Sequence, residues 1–289
     1  MARHKRIVVA GVNVRLHPHS SQLYVDLFFR AFQLKRPIRI RGDQHLLLSS
    51  LRYSDSSNVI TGSVARFTEI DMNQPWFDSE NLEKADDGDV RSINIPPFMK
   101  PNYVSFDFMF FVDGHIFAFE KEGGDRPISP YSVEKFLDIL FHDDEIIKDF
   151  GHVSVDVIGD KEGLSKIFSI YNIRSLVIEI QRPNADDLDL DEEIEELLDS
   201  QNAKKLILDY SAVPGKSFTP AESTKKIAEV ALRNGKVQAR GRDESGNLVE
   251  MSSKDIPMIV SGRYDPKLTL ARAAFWNVAE KFMVSLRRL

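Results

Sequence analysis

The 289-residue chain contains no cysteine. That excludes disulfides, thiolate metal sites and cysteine nucleophiles, and it fits a reducing compartment. Long apolar runs are missing as well: no segment approaches the ~18–20 residues that a membrane helix needs. The opening MARHKRIVVAGVNVRL is basic, but its apolar run, Ile7–Val12, is broken by Asn13 and Arg15, too short and too polar for a signal peptide. A cytoplasmic protein is therefore expected. Phosphate-cradling motifs are lacking too. There is no P-loop, no G-x-G-x-x-G and no nucleophile elbow, and Gly123-Gly124 stands in no lysine or helix context. No cofactor is expected, and an enzyme finds little support.

One stretch lacks bases altogether. From Asp186 to Asp199 there are nine carboxylates and no Lys or Arg, and subtracting them from the formal net charge of −6 leaves +3. A mildly basic body thus carries an acidic block, so the bulk charge does not exclude a nucleic-acid partner. The block is not spaced as an EF-hand and lacks its glycine. It reads as a helix, Leu190–Leu198, with Asp189 or Asp191 as cap and Ile194, Leu197 and Leu198 facing inward. Glu192, Glu193, Glu195 and Glu196 would form a solvated face or a docking surface for a basic partner.

The remaining pattern alternates strands and helices. Ile7–Leu16 reads as a strand, and a helix follows whose apolar face is Leu23, Tyr24, Leu27, Phe28, Ala31 and Phe32. Pro37–Arg41 alternates, with Ile38 and Ile40 on one side and Arg39 and Arg41 on the other. Asn58–Glu69 is a strand. Asp71–Lys100 is a surface loop in which Trp76 and Phe77 dock on the body. Tyr103–Val112 and His115–Glu120 form a hairpin across Asp113-Gly114, and Ser129-Pro130 opens a helix.

Strands at Val153–Ile158, Ser175–Ile180 and Lys204–Tyr210 flank helices at Lys161–Ile170 and in the acidic block. A helix over Thr219–Arg233 stops at Asn234-Gly235. Lys236–Arg242 and Leu248–Ser252 make a second hairpin, and Leu268–Leu289 a long terminal helix. The pattern gives an α+β fold with mixed or antiparallel sheets. It is divided into subdomains 1–150 and 151–289, or continuous as one domain.

Among candidate sites, His17-Pro18-His19 supplies at most two metal ligands, and a polar turn explains it as well. With nearby carboxylates it would serve a metal-dependent nuclease or toxin. Asp107, Asp113, Glu120 and Lys121 are the alternative nuclease set. There the adjacent Glu120 and Lys121 point to opposite faces of a strand, and Asp113 is a turn residue. The strongest basic pattern is Lys236, Gln238, Arg240 and Arg242, which share one strand face at period two. Arg39 and Arg41 are the second choice for phosphate contacts.

The segments Val12–Gln44, Phe67–Asp78, Asn102–Lys121, Ser129–Phe141 and Gly241–Asp255 resemble an uncharacterised bacterial domain family that covers nearly the whole chain. Phe106–Lys121 with its following helix, and Val237–Ser253, are also distantly similar to the lambda phage exclusion protein RexA. That second likeness implies a homodimeric, sequence-tolerant DNA-binding protein of the phage-exclusion type, involved in antiviral defence. The acidic block departs from it, and would repel DNA if it lay on the binding face.

Overall fold

The structure, a computed structural model, describes residues 4–18, 20–123, 126–183 and 189–287. It is an α+β fold built on two antiparallel sheets. The larger begins with β1 (Lys5–Leu16), α1 (Ser21–Gln33), β2 (Ile38–Arg41), β3 (Gln44–Ser54) and β4 (Val59–Thr68). The segment up to Tyr103 holds only the two-residue strands β5 (Phe77–Asp78) and β6 (Glu83–Lys84) and the short helix α2 (Asp87–Ser92). Trp76 is half-buried there, whereas Phe77 is exposed, so only the tryptophan is covered.

Then come β7 (Val104–Phe111), β8 (Ile116–Glu120), the small strands β9 (Glu122–Gly123) and β10 (Arg126–Pro127), α3 (Pro130–Phe141), α4 (Asp144–Phe150) and β11 (Val153–Val157). The β7–β8 connection is longer than the expected two residues, because Phe111 pairs with Ile116. Its left-handed residue is His115, at φ 55°, rather than Gly114.

The chain then builds the smaller sheet. Its elements are α5 (Lys161–Phe168), β12 (Asn172–Gln181), α6 (Asp189–Ser200), β13 (Lys205–Ser211), α7 (Glu222–Asn234), β14 (Gly235–Arg242) and β15 (Leu248–Ser252). It closes with β16 (Ile259–Tyr264) and α8 (Ala271–Leu286).

The large sheet runs β11-β1-β8-β7-β4-β3-β2, and β16 pairs with the first half of β1; the small one runs β13-β12-β14-β15. The sheets therefore do not part at Gly151. β11, β16 and α8 all follow that residue and complete the large sheet. Among the described residues no helix is long and apolar enough to cross a membrane.

β1 is the spine of the large sheet and is buried along most of its length. Ala10, Val12, Val14 and Leu16 point into a core shared with α1 and α3, while Ile7 and Val9 point to the opposite face, under α8. The period-two alternation of a strand produces this division. The α1 side is aromatic: Phe28 packs tilted against Phe110 at 4.4 Å and Phe108 stacks on Phe117 at 4.5 Å between ring centroids. Each such buried side chain contributes about 1.5–3 kcal/mol. On the other face α8 lies so close to β1 that a Cβ on Gly11 would meet the Phe282 ring at 2.7 Å.

In the small sheet one face is apolar. Leu176, Ile178 and Ile180 of β12 and Val237 and Ala239 of β14 pack against α5, α6 and α7. Ile194 and Leu198 bind α6 to this core, but Leu197, expected to face inward, is exposed.

Candidate nucleic-acid interface

The residues between those core positions point the other way, onto a face that, among the described residues, no helix covers. On β14, Lys236 and Gln238 are half-buried and Arg240 and Arg242 exposed, while their neighbours are buried. Period two thus places all four on one face. The pairing registers lay them beside Glu179 and Val177 of β12 and Glu250 and Leu248 of β15. β13 adds Lys205, Ile207 and Asp209, with Ile207 opposite Glu179 and Asp209 opposite Val177. Lys205 and Ile207 were not singled out in the sequence, although the alternation of Lys205–Ser211, with Leu206, Leu208 and Tyr210 inward, carries the signal.

Charges on this face are matched locally. Glu179 stands 3.3 Å from Lys205 and 3.6 Å from Lys236, and Glu250 stands 3.1 Å from Arg240. Arg242 donates to the Gly246 carbonyl at 2.6 Å. That carbonyl lies in a turn shaped by Asp243, which accepts from the Asn247 backbone N–H and side-chain amide. Those bonds, the side-chain one foremost, hold the Asp243 carboxyl below its ordinary range. Lys205, Lys236, Arg240 and Arg242 against Glu179, Asp209 and Glu250 leave the face with one excess positive charge. Exposed ion pairs of this kind contribute ~1 kcal/mol or less, so a phosphate can replace the carboxylate at small cost. Among the described residues no aromatic side chain stands on this face; Tyr210 turns inward onto Phe218.

The acidic helix lies on the opposite side of the same sheet, because Ile194 and Leu198 join the core beneath it. Several of its acids have internal partners. Asp191 takes two hydrogen bonds from Arg233, both at 3.0 Å, which makes it part of the scaffold. Arg182 lies 2.8 Å from Asp199 and 3.6 Å from Glu195. Glu192, Glu193 and Glu196 remain exposed. Asp186 and Asp187 lie outside the described residues.

Arg39 and Arg41 do not join the basic strand. Both point outward from β2, at the far edge of the large sheet from β11, and Arg39 is engaged by Asp43 and the Gly42 carbonyl. His17 approaches the Arg182 carbonyl at 3.2 Å and Glu195 at 4.0 Å; His19 lies outside the described residues. Among the described residues no three His or carboxylate side chains are grouped to hold a metal ion.

Of the other nuclease set, Asp113 accepts from the Asn58 amide and Asp107 from Ser63. Asp107 and Glu120 sit one step beyond the Phe108–Phe119 pair. There burial, followed by the Asp107 charge, pushes the Glu120 carboxyl up to about 7.

Between the two sheets lies a buried charge network. Arg15 of β1 reaches Asp156 of β11, and Lys254 bridges Asp156 at 3.0 Å and Glu134 at 2.7 Å. Burial alone would raise the Asp156 carboxyl, but the Arg15 and Lys254 charges outweigh it and hold the group below its ordinary range. Beside them the Asn13 amide donates to Asn234 at 3.0 Å and to the Arg233 carbonyl at 3.2 Å.

A family model described as a domain of unknown function, DUF4747, matches residues 5–280. No curated protein gives a significant match.

Proposed function

Since the chain belongs to the DUF4747 family, a membership that assigns no chemistry, we propose from the geometry that it binds nucleic acid through the open face of the small sheet. The observation that carries this reading is the outward row Lys236, Gln238, Arg240 and Arg242, with Lys205 two strands away and the acidic helix on the other side. A face without aromatic rings offers no platform on which single-stranded bases can stack. Its contacts are therefore with phosphates, which favours duplex and tolerates any sequence; Gln238 is the one residue in the row suited to a base edge. A role in phage exclusion and a homodimeric state rest on the resemblance of Phe106–Lys121 and Val237–Ser253 alone.

The test is fluorescence anisotropy with labelled duplex and single-stranded DNA at low and moderate salt. Saturable duplex binding that weakens with salt, and weakens further in Arg240→Ala, is the expected result. No change in anisotropy with either DNA at low salt would sink the proposal.

A second reading is favoured by one observation: Leu197 is exposed on α6 beside Glu193 and Glu196. This makes a small acidic–apolar surface suited to a basic protein partner. Charge reversal of Glu192, Glu193 and Glu196 would abolish such a complex without unfolding the chain. Glu195 is a poor choice for that test, because it stands 3.6 Å from Arg182.

A further inference from the structure

Where the two sheets meet, a cleft opens on the side of β11. It comprises two adjoining cavities of about 310 and 230 Å³ that share His152, Ser154 and Lys204. Three separate elements bring nitrogen bases to it. His142 caps the C-terminus of α3, His152 leads into β11, and Lys204 leads into β13. The His142 and His152 rings lie 4.8 Å apart, edge to face. Lys204 Nζ donates to His152 Nε2 at 3.2 Å. His142 Nδ1 donates to the Asp138 carbonyl at 2.7 Å, which leaves its Nε2 for a ligand.

The cleft's other charged groups are engaged. Arg182 is held by Asp199 and Glu195, and Asp156 by Arg15 and Lys254. The Asp138 carboxylate lies 3.4 Å from His142 Nδ1. Among the described residues no carboxylate forms an ion pair with Lys204, which spends its hydrogen bond on an imidazole. Gathering an ammonium and two imidazoles costs free energy that an anion between them would recover. Clefts at the junction of two structural units are also where small ligands collect.

We propose that this cleft binds a terminal phosphoryl group, held by Lys204, His152 and His142. A phosphate monoester offers three acceptor oxygens and close to two negative charges near neutral pH, which matches one ammonium and two imidazoles whose Nε2 atoms donate once they carry a proton. The Lys204 ammonium has three N–H donors, and when a phosphoryl group draws it away from His152 Nε2 that ring nitrogen is free to take up a proton. Binding therefore brings proton uptake. The charged form of His152 is disfavoured, first by burial, then by Lys204 and then by His142. A bound anion offsets the last two effects. The groups facing His152 are His142 and Asp138 from α3, Lys204, Gln181 from β12, Ser154 and Asp156 from β11, and, across the adjoining cavity, His17, Arg182 and Asp199. The site is independent of the open sheet face.

The experiment titrates the full chain with inorganic phosphate, a nucleoside 5′-monophosphate and the unphosphorylated nucleoside. Calorimetry at pH 6.5 and 8 is read together with the imidazole NMR resonances. Saturable binding of either phosphorylated probe, with shifts at His142 and His152 and several-fold tighter at pH 6.5, is expected. Equal affinity for the two would point to a free phosphoryl ligand, and preference for the monophosphate to a nucleotide. Lys204→Ala and His152→Ala should each weaken binding at least tenfold with unchanged melting temperature, because both residues are exposed. Arg240→Ala should leave it intact, which separates this site from the sheet face. Failure of both phosphorylated probes to bind at low millimolar concentration would overturn the proposal, as would binding indifferent to Lys204→Ala and His152→Ala or equal binding of the bare nucleoside.

Discussion

The two sheets use the same strand chemistry to opposite ends. Around β1 the large sheet is covered on both faces, by α1 and α3 on one side and α8 on the other, so β1 is buried along most of its length. Among the described residues the small sheet is covered on one face only, and its β14 alternates between core and the open side. Charged residues follow the same division. Arg15, Asp156 and Lys254 lie at the junction, withdrawn from solvent and tied to one another, whereas Arg240 and Glu250 pair in the open. Withdrawn pairs cannot be exchanged for a ligand without breaking the structure, while exposed ones can. The difference fits the junction network to stability and leaves the open face for the recognition proposed above.

Substitutions can break that comparison. The largest effect is expected from Asp156→Ala, which leaves the Arg15 and Lys254 charges without their shared partner. Denaturant unfolding should register a loss of about 3–5 kcal/mol, and acid should mimic it. The Asp156 carboxyl is held below its unfolded value, so its contribution is present above that value and disappears as pH falls through the folded one.

Next come Arg240→Ala and Arg242→Ala. Each should weaken duplex binding by roughly tenfold or less, about 1 kcal/mol, with stability unchanged to within ~0.5 kcal/mol.

Glu120→Gln probes a charge on the large sheet. The native carboxyl is raised to about 7 against an ordinary 4.5. The folded state therefore holds the extra proton between those values, and stability falls as pH rises through 7. The variant should unfold about 1–2 kcal/mol later than the native protein at pH 8, a figure reduced for the partial exposure of the group, and alike at pH 4. Smallest is Glu250→Gln, which releases Arg240 from its carboxylate. It should tighten duplex binding by a few-fold, a gain of less than about 1 kcal/mol.

Local features of this architecture were legible in the sequence, and long-range ones were not. The alternation of Lys236–Arg242 shows in four residues, because a strand's period is a property of the backbone. So does the Ser129-Pro130 start of α3, where Ser129 caps the helix and accepts from the Ser132 N–H. What the pattern could not show is which of two faces stays open. That depends on β16 and α8 returning to the large sheet, and Ile259–Tyr264 was not read as a strand at all. The acidic block shows the same limit. Its helix follows from Ile194 and Leu198, but the ion pair of Asp191 with Arg233, 42 residues away, and the exposure of Leu197 are products of packing. Arg39 and Arg41, the second choice by pattern, share the alternation of the β14 row, and only the strand order places them at the far edge of the other sheet.

The most direct measurement is the salt dependence of duplex binding, the slope of log K against log salt. It would be made for the native chain, for the triple variant Lys236→Ala, Arg240→Ala, Arg242→Ala, and for the double variant Arg39→Ala, Arg41→Ala. Each lost phosphate contact flattens the slope by about 0.9. Binding through the small sheet predicts a slope flatter by about 2.7 in the triple variant and unchanged in the double. A triple variant that keeps the native slope, or a double variant that loses it, would contradict the assignment.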